Sequence, residues 1–264
     1  MKSRGREEES AAEFLARELV EAILERGRAV FDEYSSLKRF MRENFGCCTY
    51  FVGEVVVCRK ISKFKEELRM EFPDGRTPFM FAGVAFEKGL PLSLPCLRKG
   101  KFALRKVRDF VLAGKSDFVL KKNGVAIPVE VKLSLTKTLP KDSYYLQTAL
   151  YAFLYDAPSA LLFYVSSKFR IIEIKNVLTE DDVETLIDIW RNHSPLFPEE
   201  CRQCMLHRIG LCRPESLLSE DAISARKPLY VIVQKIKREA RELNVCDFAE
   251  DYIAKKMLER LSKA

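Results

Sequence analysis

Residues 114–132 read GKSDFVLKKNGVAIPVEVK. Two apolar runs flank Lys122-Asn123-Gly124, and Asn-Gly between such runs is the strongest short-range hairpin signal. The stretch is therefore expected to form two short strands joined by a tight turn. Asp117 opens the first strand. Glu130 and Lys132 stand two apart on the second, so their side chains leave the same face. Register then decides whether Asp117 joins them. If it does, one face carries two carboxylates and a lysine. Carboxylate oxygens are hard ligands suited to Mg²⁺ or Mn²⁺. A lysine beside them can orient a water or steady the charge of a phosphate. The same residue types on strand edges are otherwise ordinary solvated charges, so the motif needs context.

The flanking sequence supplies that context. The pattern D-x12-E-x-K, entered through Gly114-Lys115-Ser116-Asp117 and closing as Pro128-Val129-Glu130-Val131-Lys132, is followed by DSYYLQTALYAFLY. Gln147 and Tyr151 in that segment fall at i and i+4, on one face of an expected helix. Further on stand Cys201, Cys204 and Cys212, with Cys58 far upstream. This order of motifs resembles the RecB-like branch of the PD-(D/E)xK nuclease superfamily, and within it the CRISPR-associated exonuclease family (CRISPR-associated protein 4). The resemblance covers about residues 48–214. It implies a restriction-endonuclease-like α/β fold: a mixed sheet flanked by helices, with a cysteine-ligated iron–sulfur region and helical additions at both ends. It implies that Asp117, Glu130 and the backbone carbonyl of Val131 hold the ion, that Lys132 positions a water, and that Gln147 and Tyr151 orient the substrate.

One departure from that pattern is clear. The family carries Gly-x-x-His-Glu on a helix upstream, with the histidine as a metal ligand, whereas this chain has Gly83-Val84-Ala85-Phe86-Glu87. Phenylalanine cannot bind a metal. Three readings stay open. Glu87 substitutes, although one step along a helix turns a side chain by about 100°. Two carboxylates hold the ion weakly with water filling the gap. Or the chain has lost catalysis and keeps its fold and its DNA surface.

Composition sets broad bounds. The chain has 264 residues, 47% hydrophobic and 31% charged, which suits a globular protein with a sizeable core and not a disordered tail. The net charge of +7 permits a polyanionic partner, though a solvated basic face gives the same count. The charged start, MKSRGREEES, does not read as a signal peptide, and no uninterrupted apolar run reaches membrane-spanning length. A cytoplasmic setting is expected on that basis, where eight cysteines read as cluster ligands and buried thiols better than as disulfides.

Four segments are expected: an N-terminal helical stretch over 1–46, the nuclease core over 47–197, the cysteine cluster over 198–214 and a helical extension over 215–264. In the first, Ser10 and Glu13 suggest a capping box, and Phe14, Leu15, Leu19, Ile23, Leu24, Val30 and Phe31 recur at helical spacing. A helix packed on its own core is the expectation there. Asp142 is expected to cap the helix carrying Gln147 and Tyr151, whose Leu146, Leu150, Phe153 and Leu154 would pack on the sheet. Residues 160–166 and 169–175 alternate as a second strand pair, and 179–191 read as a helix capped by Thr179 with Asp182 at its third position. Residues 228–243 and 245–262 read as two further helices. Cys96 and Cys246 are read as buried apolar residues. Arg98, Lys99, Lys101, Arg105, Lys106 and Arg108 form a basic stretch before the hairpin that could meet phosphates by charge alone.

Residues 198–214, PEECRQCMLHRIGLCRP, carry C-x2-C and a third cysteine in a polar loop, a strong metal or cluster signal. A fourth ligand is needed. Cys58 would give four thiolates and an iron–sulfur cluster, 4Fe-4S by the resemblance. His207 would give a local zinc site instead. The functional expectation is a Mg²⁺- or Mn²⁺-dependent exonuclease acting on single-stranded DNA or DNA ends. The family resemblance implies a part in CRISPR spacer acquisition beside that system's integrase proteins. The alternatives are a non-catalytic DNA-binding or scaffolding subunit of the same fold, and an iron–sulfur nuclease of repair or of a viral genome.

Overall fold

The computed structural model describes residues 11–46, 48–69, 77–122, 124–134, 139–198, 201, 204–208, 210–212 and 220–261. The hairpin forms as its sequence requires. β5 (Phe118–Lys122) and β6 (Val125–Leu133) are antiparallel, and the pair Lys122–Val125 closes them over a two-residue turn. Gly124 takes φ +81°, the left-handed conformation that glycine adopts without a Cβ penalty.

This hairpin is the middle of a six-stranded sheet. Its order is β2 (Leu97–Lys99), β5, β6, β7 (Ser159–Val165), β8 (Phe169–Lys175) and β9 (Ala240–Asn244). β6 and β7 are parallel, joined through α5 (Asp142–Leu154); the other pairs are antiparallel. A parallel neighbour needs such a crossover, and α5 supplies it. A second, three-stranded sheet has the order β1 (Cys48–Phe51), β4 (Phe110–Gly114), β3 (Ala103–Val107), with β1 and β4 parallel. The expected mixed α/β fold with flanking helices is thus present, with its strands in two sheets.

The main core lies between the sheets and the helices around α5. Leu146, Leu150, Phe153 and Leu154 are buried as their spacing predicts. They share a cluster with Val183, Leu186, Ile187 and Trp190 of α6 (Glu180–His193) and with Leu229, Ile232, Val233 and Ile236 of α9 (Lys227–Arg238). Two glycines let the strand region close on its surroundings. A Cβ on Gly114 would meet Leu154 and Tyr151 of α5 at 3.1 Å, and one on Gly100 would lie 1.9 Å from the Ser116 carbonyl oxygen.

Several local expectations are corrected. Helix α1 (Ala11–Phe45) runs unbroken, but Phe14 and Leu15 are exposed, while its later turns pack through Met41 and through the Tyr34 ring against Phe51 and Phe102. The capping box at Ser10 lies outside the described residues. Helix α5 starts from Lys141 without a side-chain cap, and Asp142 pairs with Lys237 at 2.9 Å instead. Thr179 does cap α6, and with Asp182 it completes a reciprocal capping box. Residues 240–243, read as the end of a helix, form with Asn244 the edge strand β9. Their neighbour β8 offered an unpaired edge, and pairing along it outweighed the helical pattern. After it comes α10 (Val245–Leu261). Cys96 and Cys246 are exposed rather than buried.

The remaining helices are α2 (Val52–Val55), α3 (Arg59–Leu68), α4 (Thr77–Ser93), α7 (Met205–Arg208) and α8 (Glu220–Ala225). Among the described residues, no helix is long and apolar enough to cross a membrane.

Candidate active site

The register of the hairpin answers the question that the sequence leaves open. Phe118 faces Val129, so one further step along the ladder sets Asp117 opposite Glu130. The two therefore leave the same face, close enough that the charge of Asp117 acts on the Glu130 carboxyl. Asp117 Oδ2 also accepts from the Val131 backbone N–H at 2.8 Å, which ties its carboxylate across the strand pair. Lys132, on the same face of β6, donates from Nζ to Glu130 Oε1 at 2.6 Å. Glu130 Oε2 is buried and has no hydrogen-bond partner among the described residues. An acceptor left in that state costs free energy unless a cation or donor reaches it.

The electrostatics follow from this crowding. Burial pushes the Glu130 carboxyl up to about 8, and the charges of Asp117 and Glu87 add to the rise while Lys132 opposes it. Burial also raises Asp117, against the pull of Lys132 and of the Val131 N–H. Burial alone would lower Lys132, but Glu130 and Asp117 outweigh it and hold the ammonium protonated. The side chain lies 5.4 Å from the centre of the Tyr144 ring, whose face favours a cation. Carboxylates thus outnumber the nearby lysine in a place with little water to screen them.

The missing histidine is resolved in part. Phe86 on α4 packs with Leu90, Phe118, Val129 and Val131, on the face of β6 opposite Glu130. Its ring sits 6.1 Å from that of Phe163. The next residue, Glu87, turns toward the site. Its carboxyl is pushed up to about 7, first by burial and then by the charge of Asp117, with Lys132 and Arg26 of α1 pulling it down. Among the described residues no group of three His, Cys, Asp or Glu side chains stands at metal-binding spacing.

Gln147 and Tyr151 arrive beside these carboxylates from α5. Tyr151 is buried and bonded to Gln147. Burial raises its phenol well above its ordinary value, and the charges of Glu130 and Asp117 add to the effect. The five side chains singled out on the hairpin and on α5 thus share one neighbourhood, with Val131 between them. Sequence reasoning misses Tyr144. A signal exists for it: residues 144, 147 and 151 fall at i, i+3 and i+7, one face of α5.

The charges of Cys58, Cys204 and Cys212 act on Cys201, but among the described residues no three of these cysteines stand at metal-binding spacing. Cys58 is the N-cap residue of α3, Cys201 and Cys212 are buried, and Cys204 is half-buried. Cys201 is pushed up to about 12 by burial, then by the charges of Cys58, Cys204 and Cys212. The loop is closed by its own backbone: Cys204 N–H donates to Cys201 O at 3.0 Å, and Cys212 N–H to Leu206 O at 3.0 Å. His207 Nδ1 lies 3.1 Å from the Cys212 carbonyl oxygen. Cys58 acts on Cys201 from a segment far away in the chain.

Much of the basic surface is already paired. Arg105 stacks on Phe153 and bonds its carbonyl, and Arg108 pairs with Asp181 and Glu184. Lys235 and Lys237 pair with Asp182 and Asp142.

No protein-family model and no curated protein matches the chain. Among solved structures it is similar to SSO0001, with a TM-score of 0.53 and 22% identity over 65% of this chain and 87% of that one. At that identity the likeness concerns the fold alone.

Proposed function

We propose that the chain is a Mg²⁺- or Mn²⁺-dependent deoxyribonuclease, an exonuclease on single-stranded DNA or DNA ends. The observation that carries this reading is the buried Asp117–Glu130 pair with Glu130 Oε2 unpartnered and Lys132 bonded beside it. Such a donor set suits a hard divalent cation. Asp117, Glu130 and the Val131 carbonyl would hold it, with Glu87 the acidic side chain nearest to the place of the missing histidine. When bound, the ion would polarise the scissile phosphate and acidify a water.

The chain's own groups set the rest. Lys132 stays protonated, so it serves as a donor that orients the attacking water or a phosphate oxygen, and not as a base. The water oxygen would bond to phosphorus as one P–O ester bond breaks, its proton would pass to solvent, and the leaving oxygen would take a proton from solvent to end as a hydroxyl. Gln147, fixed by Tyr151, would present its amide to the substrate strand. By the motif resemblance, Cys58, Cys201, Cys204 and Cys212 would hold an iron–sulfur cluster, 4Fe-4S, or His207 would join the C-terminal three in a zinc site. Acting in CRISPR spacer acquisition with integrase proteins is the setting the motif resemblance suggests; repair or a viral genome is the alternative.

The test is cleavage of end-labelled single-stranded and duplex DNA by anaerobically purified protein with Mn²⁺ or Mg²⁺. Wild type should cut and Asp117→Ala should not. Phe86, packed in an apolar cluster, favours a second reading: a DNA-binding or scaffolding subunit that no longer cuts. DNA retained without cleavage by wild type would make that reading the leading one.

A further inference from the structure

Helix α10 stands apart from the core. Its main contacts are with β8 and β9, and Val245 and Ala249 in its first turns are half-buried. From residue 250 to residue 259 every side chain is exposed. Large apolar groups lie open along it, with Phe248 at 50%, Tyr252 at 51% and Leu258 at 68% of their full exposure. An open apolar surface of this kind marks a site of association.

The arrangement of these residues points to what covers them. Phe248, Asp251, Tyr252, Lys255 and Leu258 fall at i, i+3, i+4, i+7 and i+10, one face of the helix. Phe248 and Tyr252 stack there, with ring centres 5.9 Å apart. Ile253 and Met257 continue instead the line of the half-buried Val245 and Ala249. Along the open face the order is apolar, acid, base, apolar. That order is complementary to its own reverse. Two copies of α10 laid antiparallel, with the two-fold axis level with Ile253, set Phe248 of each against Leu258 of the other, and Asp251 of each against Lys255 of the other. A parallel pair would set acid against acid and base against base, which repulsion disfavours. Self-complementarity is what an isologous two-fold contact requires of a surface.

We infer that α10 is a dimerisation element, whose Phe248–Asp251–Lys255–Leu258 face pairs antiparallel with the same face of a second copy of this chain. The contact is short, about 15 Å from Phe248 to Leu258 along the axis. A weak dimer is therefore expected, with a dissociation constant of about 10–100 µM. Unfolding melts run at about 1 µM then follow the monomer. The inference is independent of the nuclease reading.

The experiment is sedimentation equilibrium of the full chain between about 1 and 300 µM. Wild type should pass from monomer to dimer across that range. Asp251→Lys and Lys255→Asp should each weaken association about tenfold or more, because each puts like charges into both central layers. Mixed in equal amounts, the two variants should associate about as well as wild type, since every central layer of the mixed pair again joins an acid to a base. Both positions are exposed, so circular dichroism should show the fold unchanged. A wild type that stays monomeric at about 300 µM overturns the inference. So does a dimer whose affinity both variants leave within about twofold, which would place the interface elsewhere. A mixture that associates no better than either variant alone overturns it as well.

Discussion

Glu130 is the residue on which the carboxylate site turns. Its folded-state carboxyl is raised from the ordinary 4.5 to about 8, so the metal-free fold binds a proton that the unfolded chain releases. A raised carboxyl contributes stability below its unfolded value and loses it as pH climbs through the folded one. The metal-free protein should therefore melt at a lower temperature as pH rises from 4.5 toward 8, and Glu130→Gln should flatten that slope; differential scanning calorimetry across this range reads both. Adding Mn²⁺ should reverse the loss in wild type and not in the variant. Glu87→Gln should lower Mn²⁺ affinity, read by the electron paramagnetic resonance signal of free Mn²⁺; unchanged affinity would remove Glu87 from the site. At Gly100 the constraint is steric. A methyl group there would stand 1.9 Å from a backbone oxygen, so Gly100→Ala should cost about 1–3 kcal/mol or more by urea unfolding.

At the scale of elements, the C-terminal segment divides sharply. Strand β9 pairs with β8 along five residues, and Arg170 and Lys175 bind Glu242 and Glu239 across and beside it. Helix α10 has an exposed surface throughout most of its length, with Phe248, Tyr252, Ile253, Met257 and Leu258 all open. A chain ending after Asn244 should keep its thermal midpoint, whereas one ending after Arg238 should unfold earlier, because β8 then has unpaired edge groups. Circular dichroism melts of the two truncations separate these outcomes. The capping box of α6 is a smaller lever: Thr179→Ala should cost about 1 kcal/mol.

For the molecule as a whole, the proposed cysteine centre would join the start of α3 to the loop around residues 201–212, so loading it should stabilise the fold by binding energy that the unfolded chain lacks. Chelation should lower the thermal midpoint of wild type. Cys58→Ala and Cys201→Ala should each lower it by a similar amount, and the double variant by little more, if both belong to the one proposed centre. Equal stability of the loaded and stripped forms would mean that the cysteines hold nothing of structural weight.

Much of this architecture is legible in the amino-acid sequence. Alternation and Asn123-Gly124 specify the hairpin, because side-chain period and turn chemistry are local properties. Helical spacing of apolar residues specifies α5, and Thr179 with Asp182 specifies the start of α6, for the same reason. Three things are not legible there. The pairing of Asp117 with Glu130 depends on register, which only the closed turn and the buried faces fix. The fate of residues 240–244 depends on an open edge contributed by β8, and a neighbour from another segment can override local helical preference. Glu87 comes near Asp117 and Lys132 because α4 packs against strands distant in the chain. The sequence alone determined which residues could bind a cation and which turns and caps could form, since those are set by covalent chemistry and near neighbours. The tertiary structure alone decided which of them meet and how deeply they are buried, since burial and charge proximity exist only once distant segments have packed.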